Sequence, residues 1–122
     1  MMELEDFMEK KDWVVLGNTL DPEKYACRIK TALLESGCRV SAVGKELPSL
    51  DSVEGDIGVL DLCIHPVKGL EHLRKTRKRI GAVLIQPGAS SDEIKALLDE
   101  RNIPWLEGCA LVGLRTFRGW EG

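Results

Sequence analysis

The sequence predicts an α/β chain built on one five-stranded parallel sheet that helices cover on both faces. Two observations carry this. Short apolar runs of strand length alternate with segments of helical period, and most of those runs are continuously apolar rather than alternating. A continuous apolar run suits a strand buried on both sides, which is the situation in a doubly wound parallel sheet. Strand–helix–strand repetition then calls for right-handed crossovers. At 122 residues the chain is about one domain long. Residues 1–122 are therefore expected to form one unit, with its core over about 12–114.

Strands are predicted at Trp13–Gly17, Arg39–Val43, Ile57–Ile64, Ala82–Gln86 and Pro104–Glu107. Between the first two, Asp21-Pro22 offers an N-cap and a first-turn proline, and Gly37 supplies a stop. Tyr25, Ile29, Ala32 and Leu33 are expected on the buried face of that helix, opposite Lys24, Arg28, Thr31 and Glu35. A helix over Val67–Arg79 turns Leu70 and Leu73 inward. Ser90 and Glu93 read as a capping box ahead of Ile94, Leu97 and Leu98. Between Val43 and Ile57 there is room only for a crossover with a single helical turn over Ser49–Val53. At the ends, Met2–Lys10 is read as a short docking helix through Leu4, Phe7 and Met8, and Arg115–Gly122 as a loose tail.

Composition excludes several classes of function. The chain is 43% hydrophobic and 30% charged, an ordinary globular balance. A net charge of −3 argues against a nucleic-acid coat, whose affinity comes mainly from Lys and Arg. The run Arg74-Lys75-Thr76-Arg77-Lys78-Arg79 is basic but lacks interleaved aromatics and reads as a solvated face. No apolar run approaches the roughly 18 residues of a membrane span, and MMELEDFMEKK is too charged for a signal peptide. A cytoplasmic location is expected. Cys27, Cys38, Cys63 and Cys109 stand apart, with no C-x-x-C and with His65 and His72 far in sequence from any cysteine pair. They are read as reduced, mostly buried thiols, with no metal site.

In an open parallel sheet ligands bind at the carboxyl ends of the strands, where the strand order reverses. The residues following the predicted strands are Gly17-Asn18-Thr19, Gly44-Lys45, His65-Pro66, Pro87-Gly88-Ala89 and Gly108-Cys109. Four of these five junctions contain a glycine, so a ligand can approach the backbone closely. The first offers backbone N–H groups and the Thr19 hydroxyl to a phosphate. No G-x-G-x-x-G follows the first strand and no acid ends the second, which disfavours NAD. No Walker A loop is present. A phosphoacceptor site of the response-regulator kind fails too, because position 18 is Asn and Asp61 lies mid-strand. Lys45 instead places a cation where a ribose phosphate would lie, a feature that both coenzyme A and NADP fit.

These residues resemble the small stand-alone CoA-binding proteins, whose Rossmann-like domain is similar to the nucleotide-binding domain of the succinyl-CoA synthetase α subunit. The resemblance covers roughly Trp13 to Leu114. Gly17-Asn18-Thr19 stands where the family has G-A-S after its first strand. Arg28-Ile29, Leu33-Leu34-Glu35, Gly37 and Val40 to Val43 follow in the family's spacing. LDLCIHP matches its third strand, and Ile85-Gln86-Pro87-Gly88-Ala89 its L-Q-P-G-A. The chain departs from the family at Val43-Gly44-Lys45, where Val-Asn-Pro is common, and in the short segment that follows, where an edge strand and most of a helix are missing.

The resemblance implies a strand order of 2-1-3-4-5 and a non-catalytic module for CoA or acyl-CoA. Gly17, Asn18 and Thr19 would receive the pyrophosphate, Lys45 the 3′-phosphate, and Arg28 is a second phosphate candidate. His65 and Pro66 would flank the adenosine, and Gln86, Pro87 and Gly88 the pantetheine arm. Cys109, near that arm, is a candidate for a mixed disulfide with the CoA thiol. Two rival readings are an NADP-dependent oxidoreductase or its remnant, which lacks a substrate domain, and an interaction domain without a ligand. The sheet edge left bare by the short segment is a candidate homodimer surface.

Overall fold

The computed structural model describes residues 2–122, so of the expected domain only Met1 lies outside it. The chain runs α1 (Leu4–Met8), β1 (Asp12–Gly17), α2 (Tyr25–Glu35), β2 (Arg39–Gly44), a 3-10 turn over Leu50–Ser52, β3 (Ile57–Cys63), α3 (Pro66–Lys75), β4 (Ile80–Ile85), α4 (Asp92–Glu100), β5 (Trp105–Glu107) and α5 (Ala110–Arg118). The five strands form one sheet in the order β2-β1-β3-β4-β5, and every pairing is parallel. This is the expected doubly wound, Rossmann-like architecture.

Side-chain alternation along the strands builds two cores. Val14, Leu16, Leu60, Leu62, Val83 and Ile85 point to one face, where α3 and α4 cover them with Leu70, Leu73, Ile94 and Leu98. Trp13, Val15, Val59, Ala82 and Leu84 point to the other, under α1, α2 and α5, which supply Phe7, Ile29, Leu33, Ala110, Leu111 and Leu114. Each large aliphatic side chain enclosed this way stabilises the fold by about 1.5–3 kcal/mol.

Several predicted boundaries move, each for a local reason. Asp21-Pro22 does not start α2. Asp21 makes a turn, accepting from Glu23 N–H through its carboxylate and from Lys24 N–H through its carbonyl, and the helix begins at Tyr25. Tyr25 is 61% exposed instead of buried, and Ala26 takes the inner position. The helix after β3 ends at Lys75. The Thr76 hydroxyl and the Arg77 N–H both donate to Asp51, which pulls the chain away from helical geometry toward β4. Ser91, not Ser90, caps α4 by accepting from Ile94 N–H, while the Ser90 hydroxyl donates to Glu107. The C-terminal segment is not a loose tail. Helix α5 reaches Arg118, whose guanidinium donates to the carbonyls of Met8 and Ser36, and Trp120 donates to Glu35.

The short segment after β2 folds back on its own strand. Leu47 N–H donates to the Ala42 carbonyl, and Gly44 N–H donates to the Leu47 carbonyl. The rim end of the β2 edge is thereby partly covered.

Candidate functional site

Registration of the strands brings their carboxyl ends to one rim. Gly17 lies opposite both Gly44 and Cys63, Leu62 opposite Ile85, and Ile85 opposite Glu107. The strand order reverses between β1 and β3, where one crossover leads outward to β2 and the remaining strands extend the other way. A depression of about 280 Å³ opens there, lined by Asn18, Lys24, Tyr25, Ala26, Cys63, Ile64, His65, Gln86, Pro87, Gly88 and Ala89. It therefore unites Asn18, His65, Gln86, Pro87 and Gly88 of the residues expected from sequence. A larger depression of about 450 Å³ lies along α3 against the Leu50–Ser52 turn, and none of those residues lines it.

The loop from β1 to α2 is shaped by Asn18, whose side-chain oxygen accepts from the N–H groups of Leu20 and Asp21 at 3.2 and 3.3 Å. That turn delivers the start of α2 to the depression. No side chain caps this helix, and no acid occupies its first turn. Its opening N–H groups, with the positive end of the helix dipole, are thus available to an anion. Of the other helix starts on the rim, that of α5 is likewise uncapped and free of acids but does not line the depression, and those of α3 and α4 are less available. His65 Nδ1 caps α3 by accepting from Val67 N–H at 3.2 Å, and α4 carries Ser91, Asp92 and Glu93. Gly88 has φ +91°, a left-handed conformation that glycine adopts without strain, and it turns the chain after Gln86 and Pro87.

Other expected residues stand elsewhere or are already engaged. A Cβ on Gly17 would run into the Cys63 carbonyl and Ala26, so the missing side chain makes room for β3 and α2. Thr19 is buried, and its hydroxyl donates to Glu46, whose carboxylate also pairs with Lys30 at 2.8 Å. These two hydrogen bonds hold the Glu46 carboxyl below its ordinary range. The Thr19 hydroxyl is thus committed within the protein, and a phosphate here would rely on backbone donors. Lys45 is exposed in the turn after β2, without a partner among the described residues. Arg28 is exposed, with its guanidinium 5.6 Å from the centre of the Tyr25 ring. Pro66, the first residue of α3, faces a neighbouring groove with Val67, Leu70, Ser91 and Glu93. Cys109 is half-buried against the α1-α2-α5 core and does not line the depression, whereas Cys63 does.

Sequence reading missed the buried partner behind Gln86. Asp61 is fully buried in β3, and Gln86 Nε2 donates to its Oδ1 at 2.7 Å. Burial raises this carboxyl to about 7, against the lowering influence of the Gln86 hydrogen bond. Burial, reinforced by Asp61 and Cys109, pushes the Cys63 thiol up to about 12, so it is a poor nucleophile at neutral pH. Lys24, Tyr25 and Ala26 were missed as well, because the start of α2 lies three residues beyond its apparent sequence signal.

Comparison with known proteins agrees with this architecture. A structure titled Prb, a redesign for binding of the protein PH1109, superposes with a TM-score of 0.87 at 19% identity, covering 97% of this chain and 92% of its own. A hypothetical protein from Pyrococcus horikoshii gives 0.83 at 22% identity, over 97% and 94% of the two chains. A conserved hypothetical protein from Pyrococcus furiosus gives 0.77 at 24% identity, over 84% and 98%. At these identities the likeness shows the fold. No curated protein matches the chain significantly. The family model described as a CoA binding domain matches residues 11–115, which spans every strand and ends within α5. The chain belongs to the CoA binding domain family.

Proposed function

We propose that the protein binds coenzyme A or an acyl-CoA at the carboxyl ends of β1, β3 and β4 and performs no catalysis of its own. The observation that carries this reading is the uncapped start of α2, opening into the depression at the point where strand order reverses. A diphosphate seated there meets backbone N–H groups and the positive helix end, with Lys24 beside it and Arg28 one turn along the helix. The depression is shallow, so it holds part of a CoA-sized ligand while the rest lies along the rim. The adenosine then runs toward His65 and Pro66, the 3′-phosphate toward Lys45, and the pantetheine arm along Gln86, Pro87 and Gly88. Among the described residues no nucleophile stands beside a general base in the depression: His65 spends its Nδ1 on the α3 cap, and Cys63 holds its proton.

Thermal unfolding with CoA, dephospho-CoA, NAD and NADP tests this reading. A ligand at a hundred times its Kd adds about 2.7 kcal/mol to the folded state. CoA is expected to raise the melting temperature most, dephospho-CoA less, and NAD not at all. A rise with NADP but none with CoA would establish the oxidoreductase reading. No shift with any of the four would favour an interaction domain without a nucleotide.

A further inference from the structure

We propose that Asp61 is a positioning residue, which turns the Gln86 amide so that its carbonyl oxygen faces the ligand as a hydrogen-bond acceptor. The inference rests on the CoA reading for the identity of that ligand, but its geometry does not depend on it.

Asp61 lies on the central strand β3, in register with Val15 and Leu84, on the face covered by α2 and α5. Gln86 follows Leu84 by two residues, so it projects to the same face at the end of β4. Its backbone is fixed on both sides: its N–H donates to the Leu62 carbonyl at 3.0 Å, and its carbonyl accepts from Ala89 N–H at 3.0 Å. The side chain is only 5% exposed and is pinned by the hydrogen bond from Nε2 to Asp61 Oδ1. Asp61 Oδ2 is fully enclosed without a partner. An apolar residue of similar size would cost less at this position, since a buried carboxyl with one hydrogen bond is incompletely compensated. What the carboxyl adds is direction. Above the value near 7 to which burial raises it the carboxyl is ionised and only accepts, so it then holds the NH₂ end of the amide and repels the carbonyl end.

The other end, Gln86 Oε1, therefore faces the depression. It has no donor among the described residues and is not enclosed. The next residue, Pro87, has no N–H, so the Gln86 side chain presents an acceptor with no backbone donor directly beside it. That acceptor selects a ligand segment that carries N–H or O–H groups. The amides and hydroxyl of a pantetheine arm meet that requirement, and a thioether or ester chain does not.

Side-chain amide NMR of the unliganded protein at pH 8, together with calorimetric titration of CoA, tests the proposal. The Gln86 NH₂ resonances, assigned by their loss in Gln86→Met, are expected to be dispersed and slow to exchange in the wild type. In Asp61→Leu they are expected to collapse to solvent-exposed values. CoA affinity should fall about tenfold in Gln86→Met and in Asp61→Leu, the worth of one hydrogen bond. Asp61→Asn pairs with the amide in either orientation, and so should cost only about twofold. Wild-type affinity in a folded Asp61→Leu or in Gln86→Met would overturn the proposal. If the wild type bound no CoA, the CoA reading would fall, and the amide spectrum would still decide the orientation. Undispersed, fast-exchanging Gln86 resonances in the wild type would refute it.

Discussion

Gly17 illustrates how a single position is decided by its neighbours. In sequence it is a glycine after a strand, open to a ligand. In the structure its missing Cβ accommodates the Cys63 carbonyl and Ala26. Gly17→Val is therefore expected to lower stability by more than 3 kcal/mol, on the order of a severe overpacking defect, and urea denaturation without any ligand measures this. An unchanged midpoint would return Gly17 to the ligand side. For Lys45, exposed and unpaired, Lys45→Ala should leave stability unchanged. It should weaken CoA by about 1.5–3 kcal/mol while leaving dephospho-CoA binding as it was, in paired titrations. Asp61 makes stability depend on pH. Its carboxyl is raised from 3.8 in the ordinary state to about 7 when folded, so its contribution is full below the lower value and lost as pH rises through the higher one. Stability should decline between about pH 4 and 7, and this decline should be absent in Asp61→Asn. The candidate residues at strand ends were legible because glycines and prolines punctuate the chain locally. Thr19–Glu46 and Asp61–Gln86 were not, since each joins residues 25 or more positions apart.

Elements were legible where periodicity was strong and less so where tertiary bonds set their ends. All five strands fall close to their apolar runs, and α1 forms as expected through Phe7 and Met8. Helix α2 starts later than Asp21-Pro22 suggests because Asn18 and Asp21 spend their side chains on the turn before it. That delay leaves the helix start uncapped at the rim. The C-terminal helix was missed because its partners, Met8, Glu35 and Ser36, lie at the opposite end of the chain. Besides the apolar packing, the Arg118 side chain hydrogen-bonds to both the end of α1 and the end of α2. Arg118→Ala is expected to destabilise the protein by about 1–3 kcal/mol, the usual range for hydrogen bonds from a charged donor in a partly exposed position. A loss within 0.5 kcal/mol, about the scale of an ordinary surface substitution, would show that apolar packing by Leu111 and Leu114 holds the helix unaided.

For the molecule as a whole, parallel pairing sends every strand's carboxyl end to one rim, and helices on both faces leave that rim as the place where backbone donors meet solvent. The central claim is that CoA is held there, at the β1–β3 switch, rather than in the larger depression beside α3. Backbone amide shift mapping by NMR during a CoA titration tests it most directly. Perturbations are expected over Asn18–Ala26, Ile64–His65 and Gln86–Ala89, with Lys45 responding to CoA but not to dephospho-CoA. Perturbations gathered instead on Ser49–Asp51 and Lys68–Thr76 would contradict the claim.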